Sequence, residues 1–325
     1  MRWCWRLFTI LPILFTFQLV DAFAGDKLTI FVSILPQKFF VQQIGKDLVD
    51  VHVMVLPGAS PATYEPKPKQ MVTLSKADVY FSIGAPFEKV WLRKISAANS
   101  SMKLCHTDRG IQKISMAPIY NYVRHEHHDE KQSHNEPGGS DGESGGQHEG
   151  GYGQNKDHHN HGILDPHIWL SPPLVKKQAK TILETLIEVD PDDAREYQSN
   201  YDVFISKIDW LDMELTTIFA DRQDLQFLVF HPSWGYFARS YGLIQVSIEI
   251  EGKNPKPAQL RALIEYARAQ HIKVVFVQPQ FSSRSARQIA REIGGQVVTA
   301  DSLALNWSEN LKEVAGKLIA ASPLK

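Results

Sequence analysis

Two cysteines are all that the 325-residue chain contains, and only Cys105 lies beyond its opening segment. A single cysteine closes no internal disulfide, so the fold has to rest on its apolar core. An excess of either charge is missing too. Lys and Arg number 35 against 36 Asp and Glu, and they alternate along the chain, which offers no nucleic-acid surface and no polybasic membrane segment. Long apolar runs are absent apart from residues 7–20, which follow Arg2 and Arg6 and precede the small-x-small pattern Ala22-Phe23-Ala24. Residues 1–24 are therefore expected to be a signal peptide cleaved near Ala24, leaving an exported, periplasmic chain. The run is shorter than the roughly 20 residues of a membrane-spanning helix, which argues against an uncleaved anchor.

What remains is about 300 residues, more than one domain usually holds. Residues 28–32, 49–56 and 79–83 read as strands, alternating with helices at 37–46, 68–77 and 86–97. The second half repeats this grammar, with strands at 227–230, 244–250, 274–277 and 297–298. Between them Leu260, Leu263, Ile264 and Ala267, then Ala286, Ile289, Ala290 and Ile293, recur at helical spacing. Such alternation predicts an α/β protein of two lobes, at 25–124 and 221–325, each a mainly parallel sheet flanked by helices. Residues 193–220 lack proline and glycine and carry Tyr197, Phe204, Ile208, Leu211 and Leu215 near helical spacing. A helix there would run roughly 40 Å, long enough to be a spine joining the lobes. Residues 163–192 supply a cleft segment and a further helix. Residues 125–162 hold nine glycines, eight histidines, eight acids and Tyr152 as their one bulky apolar side chain. That composition buries too little to offset the entropy of ordering and predicts a disordered loop.

Three residues outside the loop invite chemistry. His231 directly follows the strand at 227–230, and in open α/β sheets ligands bind beyond the carboxyl ends of strands. Asp301 ends the strand near 297–298, just before a helix expected from Ser302; capping that helix is its plainer role. His167, in Asp165-Pro166-His167, follows the loop and could equally be a buried, hydrogen-bonded histidine. Two imidazoles and a carboxylate are together a fitting shell for zinc, whereas manganese and magnesium favour more oxygen. In the loop, His127-His128 and His158-x-x-His161 add weak chelating positions; an inert solvated linker is the other reading.

Several segments, in order, resemble the metal-specific solute-binding proteins of bacterial zinc and manganese ABC uptake transporters. They are Pro57-Gly58-Ala59-Ser60-Pro61-Ala62-Thr63-Tyr64-Glu65-Pro66, Ala77-Asp78 with Ile83-Gly84, Asp165-Pro166-His167, His231-Pro232-x-x-Gly235-Tyr236, Glu251-Gly252-Lys253 and Gln278-Pro279-Gln280-Phe281. The resemblance spans nearly the whole exported chain. It implies two α/β lobes joined by a long helix, a metal held in the cleft between them, and His167, His231 and Asp301 as ligands. It also implies delivery of the cation to a permease in the inner membrane, by a protein acting as a monomer. Histidine at 231 and the histidine-rich loop resemble the zinc-type members, with manganese or iron less suited.

The sequence departs from that pattern at Ala62, where the family supplies a histidine. A methyl group ligates nothing, so a fourth position is left to water, a loop histidine or another residue. Two rivals follow: a receptor for a metal chelate or small molecule, and a zinc metallohydrolase, since three protein ligands and a water also build catalytic zinc. Against the hydrolase, the chain has no His-Glu-x-x-His helix and no nucleophile elbow. A metal buffer without a transporter is a third reading, for which the loop alone would suffice.

Overall fold

The structure is a computed structural model that describes residues 26–116, 164–249, 253–281 and 283–322. The expected signal peptide, the loop at 125–162 and the pair Glu251-Gly252 lie outside the described residues. In the first half, β1 (Leu28–Val32), α1 (Leu35–Gly45), β2 (Val49–Val53), α2 (Pro68–Leu74), β3 (Val79–Ser82), α3 (Pro86–Ala98) and β4 (Lys103–His106) alternate. All pairings are parallel, in the order β2-β1-β3-β4. β3 is buried along its whole length, as a central parallel strand covered on both faces must be. The edge strand β4, which the sequence reading did not include, is Lys-Leu-Cys-His and only half-buried.

Right-handed crossovers dictate where the helices go. The chain moves one way along the sheet from β1 to β2 and the other way from β2 through β3 to β4. α1 therefore lies on one face, and α2 with α3 on the opposite one. α1 packs on α4 (Pro172–Val189) and α5 (Ala194–Phe219), and α2 packs on α3. α5 is the expected spine. Its 26 residues turn Tyr197, Phe204, Ile208, Leu211 and Leu215 into the core.

The second sheet, β6-β5-β7-β8, is parallel throughout. It comprises β5 (Gln226–Val229), β6 (Ile244–Ser247), β7 (Val274–Val277) and β8 (Gln296–Thr299), with α6 (Gly235–Ser240), α7 (Pro257–Ala269), α8 (Arg284–Glu292) and α9 (Trp307–Ala321) between and after them. Strand alternation sorts its side chains. Leu228, Val246, Val275 and Val277 pack with Leu263 and Ile289 of α7 and α8. Phe227, Val229, Val274 and Phe276 join the larger core that includes the first sheet and α5. The helix expected from Ser302 starts only at Trp307, after a turn.

Each sheet reverses its strand order beside its first strand, β1 or β5, and the carboxyl ends there are switch points. In the first lobe this point holds a buried polar cluster. Glu88, in the first turn of α3, accepts the amides of Ile83, Gly84 and Ala85 at 3.0, 2.7 and 3.2 Å, and the hydroxyl of Ser33. Burial pushes its carboxyl above the ordinary range, against the pull of those donors.

Candidate metal centre

His231 leaves the end of β5, and His167 opens the 3-10 turn Ile168–Leu170 that leads into α4. The fold brings the two imidazoles together edge to face, with ring centres 5.2 Å apart. Each ring is held by a buried carboxylate. His167 Nδ1 lies 2.6 Å from Asp165 Oδ1, and His231 Nδ1 lies 2.6 Å from Glu249 Oε1. A carboxylate only accepts, so Nδ1 carries a proton in both rings, and Nε2 is the nitrogen left to ligate a metal in the neutral form of each. Burial lowers the proton affinity of His167 below its usual value, opposed by Asp165 and assisted by the nearby His231 ring. The imidazole is thus held neutral and ligand-ready.

The spacing suits one cation between the rings. With zinc about 2.1 Å from Nε2, a ring centre lies about 3.2 Å from the metal. Two such rings at the tetrahedral angle stand about 5.2 Å apart.

Close packing explains the His-Pro-x-x-Gly-Tyr segment. A β-carbon on Gly235 would meet Asp165 Oδ2 at 2.9 Å, so only glycine lets the carboxylate sit there. The Tyr236 hydroxyl donates to the Asp165 carbonyl at 3.0 Å and accepts the Ile114 amide at 3.1 Å. Gln278, from the Gln-Pro-Gln-Phe segment, donates through Nε2 to the His231 carbonyl at 2.7 Å and to Ser233 Oγ at 2.9 Å. Phe281 of the same segment stacks on the His231 ring, 5.4 Å between centres.

Asp301 stands apart from the pair. It follows β8 and faces a 240 Å³ cavity between the lobes, whose other walls include Ile34, Val55, Pro57 and Gly58. Its Oδ1 accepts the Leu303 amide at 2.9 Å and Gln280 Nε2 at 3.3 Å, while Oδ2 accepts no bond from the described residues. It caps a turn and not a helix. Trp169 links the regions: its ring packs on His167, and its indole N–H donates to the carbonyl of Ser302 at 2.6 Å. Among the described residues, no three His, Cys, Asp or Glu side chains converge closely enough to hold a metal. Ala62 is exposed in the turn 60–63, and no loop histidine lies in the described residues.

Sequence reasoning assigned no role to Asp165 and Glu249. Asp165 was visible two residues before His167. Glu249 was hidden, since a strand end 18 residues from His231 carries no local signal of a pairing.

Comparison with known proteins bears on the arrangement. The family described as zinc-uptake complex component A, periplasmic, matches residues 30–320. The high-affinity zinc uptake system protein ZnuA of Bacillus subtilis is 29% identical over 281 residues, covering 86% of this chain and 79% of that protein. The zinc-binding protein AdcA of Streptococcus pyogenes serotype M3 is 25% identical over 293 residues, 89% of this chain but 53% of its own, so the chain spans about half of that relative. A crystal structure of ZnuA has a TM-score of 0.76 at 39% identity, covering 92% of this chain and all of that one.

Proposed function

The chain belongs to the family of periplasmic zinc-uptake complex components A, and on that premise we propose that it captures zinc and delivers it to an ABC importer in the inner membrane. The family is one of extracytoplasmic solute-binding proteins, and this member acts as a receptor and not as an enzyme. No helix among the described residues is long and apolar enough to cross a membrane. In this reading the exported chain works as a periplasmic monomer once residues 1–24 are removed.

The observation that carries the proposal is the imidazole pair, the two rings 5.2 Å apart and each anchored at Nδ1 by a buried carboxylate, which leaves Nε2 as its ligand atom. Such outer carboxylates orient a ligand histidine and raise its basicity. His167 and His231 bind the cation first, and Asp301 completes the set through Oδ2 as the cleft wall that carries it moves in. With Ala62 in place of a fourth ligand, water takes the remaining position, and loop histidines hold further zinc weakly. The lobes divide at the spine, residues 25–124 and 221–325.

Titration of metal-stripped protein with zinc, manganese and iron tests this. One tight zinc site is expected, with manganese weaker. Absence of tight binding by any free cation would favour the second reading, a metal chelate or small molecule, for which Ala62 and the largely apolar cleft cavity speak.

A further inference from the structure

Lys and Arg alternate with acids along the chain, yet the fold gathers cations on one surface of the first lobe. Residues 67–98 contain six of them and two acids. Asp78 is occupied by the Thr29 amide at 2.7 Å, and Glu88 is buried. α2 and α3 share the sheet face opposite α1, so both turn their polar sides away from the core on the same side.

Those sides are Lys69 and Val72 on α2 with Lys76 in the turn just after it, and Lys89, Val90, Arg93 and Lys94 on α3, all exposed. Val72 and Val90 are each 65% exposed; Val72 sits one helical turn from Lys69, and Val90 one turn from Arg93 and Lys94. Lys94 lies over the Trp91 ring at 4.3 Å. None of these five cations enters an ion pair among the described residues.

We propose that the α2–α3 face of the first lobe docks on an anionic lipid surface. Clustered Lys and Arg around exposed apolar side chains are the chemistry that binds phospholipid headgroups and the acyl boundary beneath them. Other exposed faces fit less well. On the second lobe, Arg268 of α7 is paired with Glu292 of α8 at 2.9 Å, and no large apolar side chain is exposed on either helix. The apolar stripe Val203, Trp210 and Met213 on α5 lies among Asp202, Asp209 and Glu214, which an anionic surface repels. The proposal uses no residue of the metal site and stands whether or not zinc is the ligand. It would keep the receptor on the membrane that holds an importer.

The test is co-sedimentation of the chelator-treated, purified chain without residues 1–24 with vesicles of phosphatidylglycerol and phosphatidylcholine, and of phosphatidylcholine alone. Binding to the anionic vesicles only is expected, fading as salt shortens the screening length from about 10 Å at 0.1 M to about 3 Å at 1 M. Lys69→Glu with Lys89→Glu and Arg93→Glu should weaken it about a hundredfold or more, since each cation near such a surface contributes about fivefold. Val90→Asp should weaken it too. A matched reversal on the second lobe, Arg261→Glu with Arg287→Glu and Arg291→Glu, should leave most of the binding. Equal loss in both triple variants would reduce the effect to net charge and overturn the proposal. So would protein that stays in solution with both vesicle types, which would turn attention to an acidic protein surface.

Discussion

His231 donates its Nδ1 proton to Glu249 at 2.6 Å, the same distance at which His167 meets Asp165. Both carboxylates are almost fully buried, and each fixes the orientation of its ring through Nδ1. Glu249→Gln removes the charge and permits the other tautomer. Zinc affinity should fall by about 10- to 100-fold with the fold intact, as for other outer partners of metal-bound histidines. Competition against a chromophoric chelator measures this, and unchanged affinity would show that Glu249 does not orient the ring.

Gly235→Ala should act on His167 at a distance. The new methyl would sit 2.9 Å from Asp165 Oδ2 and push the carboxylate away from the ring. Such overpacking costs about 1–3 kcal/mol of stability, and zinc binding should weaken with it. In a double-mutant cycle with Asp165→Asn the two losses of affinity should not add, because both act through one hydrogen bond. Additive losses would mean that Gly235 serves some other purpose.

Ala62→His places an imidazole where the resemblance noted in the sequence leads one to expect a ligand. Ala62 is exposed, in a turn where the Thr63 amide reaches the Ser60 carbonyl at 3.2 Å, so an imidazole can be accommodated. Zinc should bind about tenfold tighter or better, each factor of ten being about 1.4 kcal/mol. Measured in protein lacking residues 125–161, no gain would refute an open fourth position.

Glu88 sets a pH dependence separate from the metal. Its folded carboxyl titrates above the ordinary 4.5 because burial disfavours the charge. Between the unfolded and folded values the native state holds more protons, so the contribution is full below 4.5 and lost as pH rises through the folded value. Urea unfolding over that window should show a downward slope in stability that Glu88→Gln flattens. Matching slopes would rule the carboxyl out as its source.

Much of this was legible in the sequence because the pattern is local. The all-parallel strands are short β-branched and apolar runs, and α5 announces itself by Tyr197, Phe204, Ile208 and Leu211 on one face. β4 was missed because an edge strand tolerates Lys103 and His106. The helix expected at Ser302 begins five residues later, since Asp301 spends its side chain on the Leu303 amide in a tight turn. His167 and His231 were identifiable as candidates, but their contact and their carboxylate partners arise from tertiary packing. The basic face draws its cations from the single stretch 67–98, and the handedness of two crossovers puts both of its helices on one side of the sheet.

Calorimetric zinc titration of the protein lacking residues 125–161, alone and with His167→Ala, His231→Ala or Asp301→Ala, tests the metal centre most directly. The parent should show one tight site. Either histidine variant should lose it, and Asp301→Ala should weaken it while the imidazole pair remains. A tight site that survives both histidine substitutions would contradict the assignment.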